Sequence, residues 1–205
     1  MTSPTYFYTL LEVFLAWTCD NLISSLDQSG HDIRVAKTLI DSVAHFTIAL
    51  LTRLIIVWYS DLNFDYKLID VISSGMVSVL LDSDSWISYL FGWKDSPPFL
   101  HRYSSIVLFV CILCMAMSWG LSKDPELDRM NSIVWRVPSN IFGALTTHLI
   151  RDARLGGLCL WPDSTELSLP YLIYIALIAG IPHVLRSKHH SRRPPGQRYD
   201  LLQTA

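Results

Sequence analysis

The sequence predicts an all-α polytopic membrane bundle of about six transmembrane helices, with five as the alternative count. Composition is the first observation behind this reading. Of 205 residues, 51% are hydrophobic and 17% charged, whereas a soluble domain carries about 25% charged residues. The distribution of charge is the second: it collects in short patches between long, nearly uncharged runs, and roughly 20 apolar residues are what a helix needs to cross about 30 Å of hydrocarbon. The third is a constraint of the solvent. Lipid offers the backbone no hydrogen-bond partner, so such runs have to be helical.

Six spans follow in order. The first covers about residues 6–26 and carries Glu12 and Asp20. The second, about 38–59, opens with Asp41 and His45 before becoming strongly apolar. The third, about 68–81, is short and ends in Asp82-Ser83-Asp84. The fourth covers about 104–121. The fifth covers about 132–151, with Pro138 as an expected kink because proline removes a backbone donor. The sixth covers about 170–185. Trp58, Tyr59, Trp119 and Trp135 fall near one set of span ends, and Trp86, Trp93, Tyr103 and Trp161 near the other. Amphipathic rings favour headgroup depth, which supports the frame.

Residues 1–186 are therefore read as the bundle and 187–205 as a flexible basic tail, since that stretch has no apolar periodicity to dock. With six spans the tail side holds Lys67, Lys123, Arg129, Arg136, Arg186, Lys188, Arg192, Arg193 and Arg198. The other side holds Arg34, Lys37, Lys94, Arg102, Arg151 and Arg154. This excess leans towards a cytosolic tail. A basic tail also attracts anionic headgroups. Membrane lipid is the expected partner and nucleic acid is not; the sequence names no protein partner and no organelle. The N-terminal stretch lacks a basic n-region and a small-residue cleavage site, so the first span is expected to be retained. Cys111 and Cys114 form a C-x-x-C one helical turn apart within an apolar run, where packing is the expected role.

Ionisable residues inside spans are costly and mark functional sites by default. Asp41 and His45 are four apart, as are His148 and Asp152, and that spacing puts each pair on one helix face, about 40° apart in projection. In an alternating topology the start of span two, the end of span three, the start of span four and the end of span five share one side. Asp41, His45, Asp82, Asp84, His101, His148 and Asp152 therefore collect there, with Asp20 near them. Asp82 and Asp84 can converge only if the third helix has ended. Three imidazoles and four carboxylates have the composition of a site for a divalent metal, Zn²⁺, Mn²⁺ or Fe²⁺, and such an ion makes a nucleophile of bound water.

The same stretches resemble the eukaryotic transmembrane protein 267 family. The likeness lies in Asp41-Ser-Val-Ala-His45, Val79-Leu-Leu-Asp-Ser-Asp84, Pro98-Phe-Leu-His101 and Thr147-His-Leu-Ile-Arg-Asp152. It continues through Leu160-Trp-Pro162, Leu169-Pro-Tyr-Leu-Ile-Tyr174 and Pro182-His183, in order over about residues 10–185. More distantly the chain resembles bacterial inner-membrane proteins classed as metal-dependent hydrolases, with their Asp-x-Asp-His, His-Arg and Ser-His-x-x-x-Asp elements. The resemblance implies a membrane fold and, through the distant relation, hydrolysis of an amphiphilic substrate. Two departures bear on catalysis. Ser85 stands where the family has His, and no second His follows His101-Arg102.

Elsewhere, Arg53 sits within span two and is expected to face the bundle or snorkel, with Glu12 as a partner. Arg151 and Arg154 are expected to snorkel or pair with Asp152. His183, on the tail side, is expected to be structural or to meet Glu12, and Gly156-Gly157 to stop the fifth helix. Three functions stay open: a metal centre acting as a hydrolase, a non-catalytic protein using the polar cluster as helix-packing glue, and a transporter or proton relay. The relay is disfavoured because its groups collect at one side.

Overall fold

Leucine, isoleucine, valine and alanine fill the long runs, and neither proline nor glycine clusters interrupt them. The computed structural model describes residues 3–27, 34–60, 62–83, 86–87, 91, 107, 109–116, 128–155 and 168–190. Among these it contains helices and turns and no strand. Five helices have full bounds: α1 Ser3–Asp27, α2 Arg34–Val57, α3 Phe64–Leu80, α4 Asp128–Leu155 and α5 Tyr171–His190. Helical residues at 109–116 fall in the fourth expected span. Each helix begins or ends within a few residues of its expected span, the usual scatter of terminal turns.

Two boundaries differ in ways that matter. α3 ends at Leu80, and a turn closed by Asp82 N–H on the Val79 carbonyl at 2.9 Å carries Asp82 back towards the bundle. α5 accommodates Pro182 and continues to His190, four residues into the stretch expected to be tail, where the sequence from His183 to His190 holds neither proline nor glycine. Residues 191–205 lie outside the described residues. Pro138 is accommodated inside α4, which is helical through it.

α2 is the hub. It packs against α1, α3, α4 and α5, and over Val35–Val57 it is the one described helix long and apolar enough to cross a membrane. Close approach of α2 and α3 rests on Gly75: a Cβ there would stand 2.7 Å from the Phe46 ring. The adjoining buried residues of α3, Ser74 and Ser78, are small as well, the pattern that lets helix backbones approach.

Charged and apolar side chains share the interior. Arg53, Arg151, His45, His148 and Glu12 are among the largest fully buried side chains. Large apolar groups also face outwards: Phe7, Leu10, Phe14 and Trp17 on α1, and Ile69, Ile72, Met76 and Leu80 on α3. On α5, Leu172, Ile173, Leu177 and Val184 do the same.

The buried polar groups form two networks at opposite ends of the bundle. One lies where α2 ends and α3 and α4 begin. There Arg53 pairs with Asp70 at 2.6 Å, Arg136 joins the same carboxylate at 3.1 Å, and Asn140 donates to the Asp70 carbonyl at 3.1 Å and to Ser73 at 2.8 Å. The expected Arg53–Glu12 pair is thus replaced. Asp70 sits one connection away at the start of α3, whereas Glu12 accepts a hydrogen bond from Thr52. His183 meets Thr9 at 3.0 Å and not Glu12.

Candidate metal centre

The second network forms at the other end, where α2 and α5 begin and α1, α3 and α4 end. The four-residue spacings aim Asp41 and His45 from α2, and His148 and Asp152 from α4, at each other. The two imidazoles stack, their centroids 3.9 Å apart and their planes at 29°. Asp152 spans both rings, with Oδ1 3.2 Å from His45 Nε2 and Oδ2 3.0 Å from His148 Nε2. Asp41 Oδ2 approaches His45 Nε2 to 3.7 Å, and Asp82 Oδ1 approaches His148 Nε2 to 3.7 Å. Both rings are fully buried, while the Asp152 and Asp41 side chains keep 23% and 30% exposure. The imidazoles therefore form a floor and the carboxylates a partly open rim.

Neighbouring side chains fix that rim. Ser42 donates to Asp82 Oδ2 at 3.4 Å and accepts from Trp86 Nε1 at 3.2 Å. Asp82 lies beyond the end of α3, and burial pushes its carboxyl above the ordinary aspartate range, while His45 and His148 pull it back down. Arg151 is completely buried. Its Nε donates to Asp41 Oδ1 at 2.9 Å, and its Nη1 to Asp20 Oδ1 at 2.7 Å and to the Tyr174 hydroxyl at 3.3 Å. This corrects the expectation that Arg151 snorkels or pairs with Asp152: on its helix it points towards α1, α2 and α5, and Asp152 points towards the histidines. Arg154 lies over the Tyr171 ring at 5.3 Å.

His45, His148 and Asp152 form a group that could hold a metal ion, their ligand atoms all within 4.8 Å of one another. Two features fit that use. Ligands of a tetrahedral ion stand about 3.4 Å apart, and the ion sits roughly 35° off the line joining any two of them. At 3.2 Å from Asp152, His45 Nε2 makes no hydrogen bond because the carboxylate lies off the ring's N–H direction. Charge is the second feature. Among the described residues, Asp20, Asp41, Asp82 and Asp152 are met by the paired guanidinium of Arg151, by the charge of Arg154 near Asp20, and by two imidazoles. With neutral rings the network keeps a surplus of negative charge that a cation offsets.

Of the expected ligands, Asp41, His45, Asp82, His148 and Asp152 are brought together; Asp84 and His101 lie outside the described residues. Sequence reasoning passed over two supports, Ser42 and the Arg151 link from Asp41 to Asp20. Helical periodicity held a signal for the first, since Ser42 lies three residues before His45 on one face of α2. Replacing Arg151 by Met is expected to destabilise the folded protein by about 3–5 kcal/mol, because two buried carboxylates lose their cation. Adding Asp20→Asn should restore part of that loss in denaturant titrations, and equal losses for the single and double variants would contradict the pairing. Comparison with protein-family models, with curated proteins and with solved structures returns no match.

Proposed function

We propose that this chain is a multi-pass membrane protein whose bundle holds a divalent metal on His45, His148 and Asp152, and that the centre hydrolyses an amphiphilic substrate. The observation that carries the reading is the pair of buried imidazoles from two helices converging on one carboxylate. The resemblance to the transmembrane protein 267 family and to bacterial membrane hydrolases runs through those same residues. Bilayer residence is supported by the charge buried inside and the large apolar side chains exposed outside. A bound Zn²⁺, Mn²⁺ or Fe²⁺ supplies a water acidic enough to be a nucleophile at neutral pH. The protein's part is to hold and move protons beside it. Asp82, held by Ser42 and made more basic by burial, is the proton acceptor. Arg151 holds Asp41 oriented towards His45, the outer support that metal-binding histidines require.

A proton or ion relay is the second reading, and one feature of α3 favours it. Asp70, Ser74, Ser78 and Asp82 are all buried and recur every four residues, a row of polar positions between the two charged networks. Proton flux in proteoliposomes that survives chelator and disappears in Ser78→Val would select the relay over the metal centre.

Topology is tested by labelling. Tags at the C-terminus and in the 123–129 connection should report one side, taken here as cytosolic, and a tag near Lys94 the other. Labelling of the Lys94 and C-terminal tags together would overturn the six-span reading.

The metal is tested by a double perturbation. Purified protein should contain a divalent metal by elemental analysis, and His148→Ala should lower metal content and thermal stability together. Chelator should remove most of the stability difference, because an ion bound only to the folded state stabilises it by mass action. If the cluster is packing glue, His148→Ala still costs about 1–3 kcal/mol through a lost buried hydrogen bond. In that case wild type contains no metal and chelator changes neither protein.

A further inference from the structure

The network opposite the histidines carries the reverse imbalance of charge. Arg53 on α2 and Arg136 on α4 share the single carboxylate of Asp70, through Oδ2 at 2.6 Å and Oδ1 at 3.1 Å. Guanidinium groups do not give up their protons in proteins, so among the described residues the trio keeps one positive charge in excess. The other contacts of Arg53 are to dipoles: Ser139 Oγ at 3.3 Å and the Arg136 carbonyl at 3.5 Å. The Nε of Arg53 and the Nε of Arg136 are both buried and have no hydrogen-bond partner among the described residues.

Two further cations lie at this end of the bundle. Lys67 donates to the Trp58 carbonyl at 3.2 Å, and Arg186 packs on the Tyr59 ring at 4.5 Å while donating to Thr5. Asp65, in the first turn of α3, is exposed. Arg53 is fully buried, whereas the Arg136 side chain keeps 19% exposure and opens the network to the outside.

We propose that Arg53 and Arg136 bind a phosphate group, with Arg136 at the open edge of the site. Phosphate is the chemistry that matches. Arginine forks pair with its oxygens through parallel charge-assisted hydrogen bonds, and the two unused Nε donors belong to different helices, so a group with three or more acceptor oxygens can bridge them. A lipid headgroup and a free phosphate share this chemistry. The site lies at the opposite end of the bundle from the histidines and is independent of the metal-centre reading.

The test uses the full chain in uncharged detergent with chelator present, so that phosphate cannot act through a metal. Thermal midpoints are compared in potassium phosphate against potassium chloride at matched ionic strength, and in mixed micelles with phosphatidic acid against diacylglycerol. Saturating ligand should raise the wild-type midpoint by about 5 °C in at least one arm. A response to phosphatidic acid alone identifies a headgroup site, and a response to inorganic phosphate a soluble one. Arg136→Gln should abolish the shift and His148→Ala should keep it. If Arg136→Gln does not fold, Arg136→Lys should bind at least tenfold more weakly, since a point charge cannot replace the fork. No shift in wild type, a shift that persists in Arg136→Gln, or unweakened binding by Arg136→Lys overturns the proposal.

Discussion

A completely buried guanidinium has to be met by carboxylates, and most of this fold is arranged around meeting one. Arg151 projects from α4 onto Asp20 of α1, Asp41 of α2 and the hydroxyl of Tyr174 on α5. One side chain thereby ties four helices at a single level. Desolvating each ion costs several kcal/mol even after relaxation, so the arrangement persists only if every partner is in place. The consequence reaches the histidines. Asp41 is fixed on its far side by Arg151, and its other oxygen faces His45, so the angle at which α1 and α5 pack on α2 also sets the rim of the imidazole pair.

Much of this was legible in the sequence through parity alone. Asp20, Asp41, His45, Asp82, His148 and Asp152 are spread over four helices, yet each lies at a helix end that alternation turns the same way, and the structure brings them to one end of the bundle. Partner choice was less legible. Arg53 was matched to Glu12 because both are charges inside spans, but depth within the span decides. Arg53 is four residues from the end of α2 and Asp70 six from the start of α3, so a short connection puts them level. Counting residues from the nearest helix end, the operation that gathered the histidines, would have found Asp70. Arg151 and Asp152 show a different limit. Adjacent positions on a helix point about 100° apart, so sequence neighbours that look like an ion pair reach for different helices.

The two networks share the interior with apolar side chains. The apolar clusters are small: one joins Ala16, Ile48, Tyr174 and Ile178, and another Ile56, Val57 and Val71. Ile48 and Ala49 of α2 lie between His45 and Thr52, which separates the histidine level from the Thr52–Glu12 contact by two helical turns, about 10 Å. Along α2 the polar levels are thus insulated from one another. Along α3 the buried positions between them are Ser74 and Ser78, whose small size lets that helix approach its neighbours closely. The same residues serve packing and polarity, and α3 is therefore the element on which a purely structural account and a conducting one diverge.

The two ends of the bundle differ in the sign of the charge they leave over, and this asymmetry has a physical consequence for what each can bind. At the histidine end carboxylates outnumber guanidiniums, so a cation lowers the electrostatic cost of the fold, and the donor set of imidazole and carboxylate suits a divalent metal. At the other end guanidiniums outnumber carboxylates, and an anion does the same. Among the described residues both imbalances persist, and the outward faces of α1, α3 and α5 carry large apolar side chains. Filling either end with its counter-charge therefore stabilises the whole bundle. Because α2 and α4 contribute to both networks, an ion bound at one end also restricts the helices that frame the other, a coupling that follows from shared rigid elements and requires no change of fold.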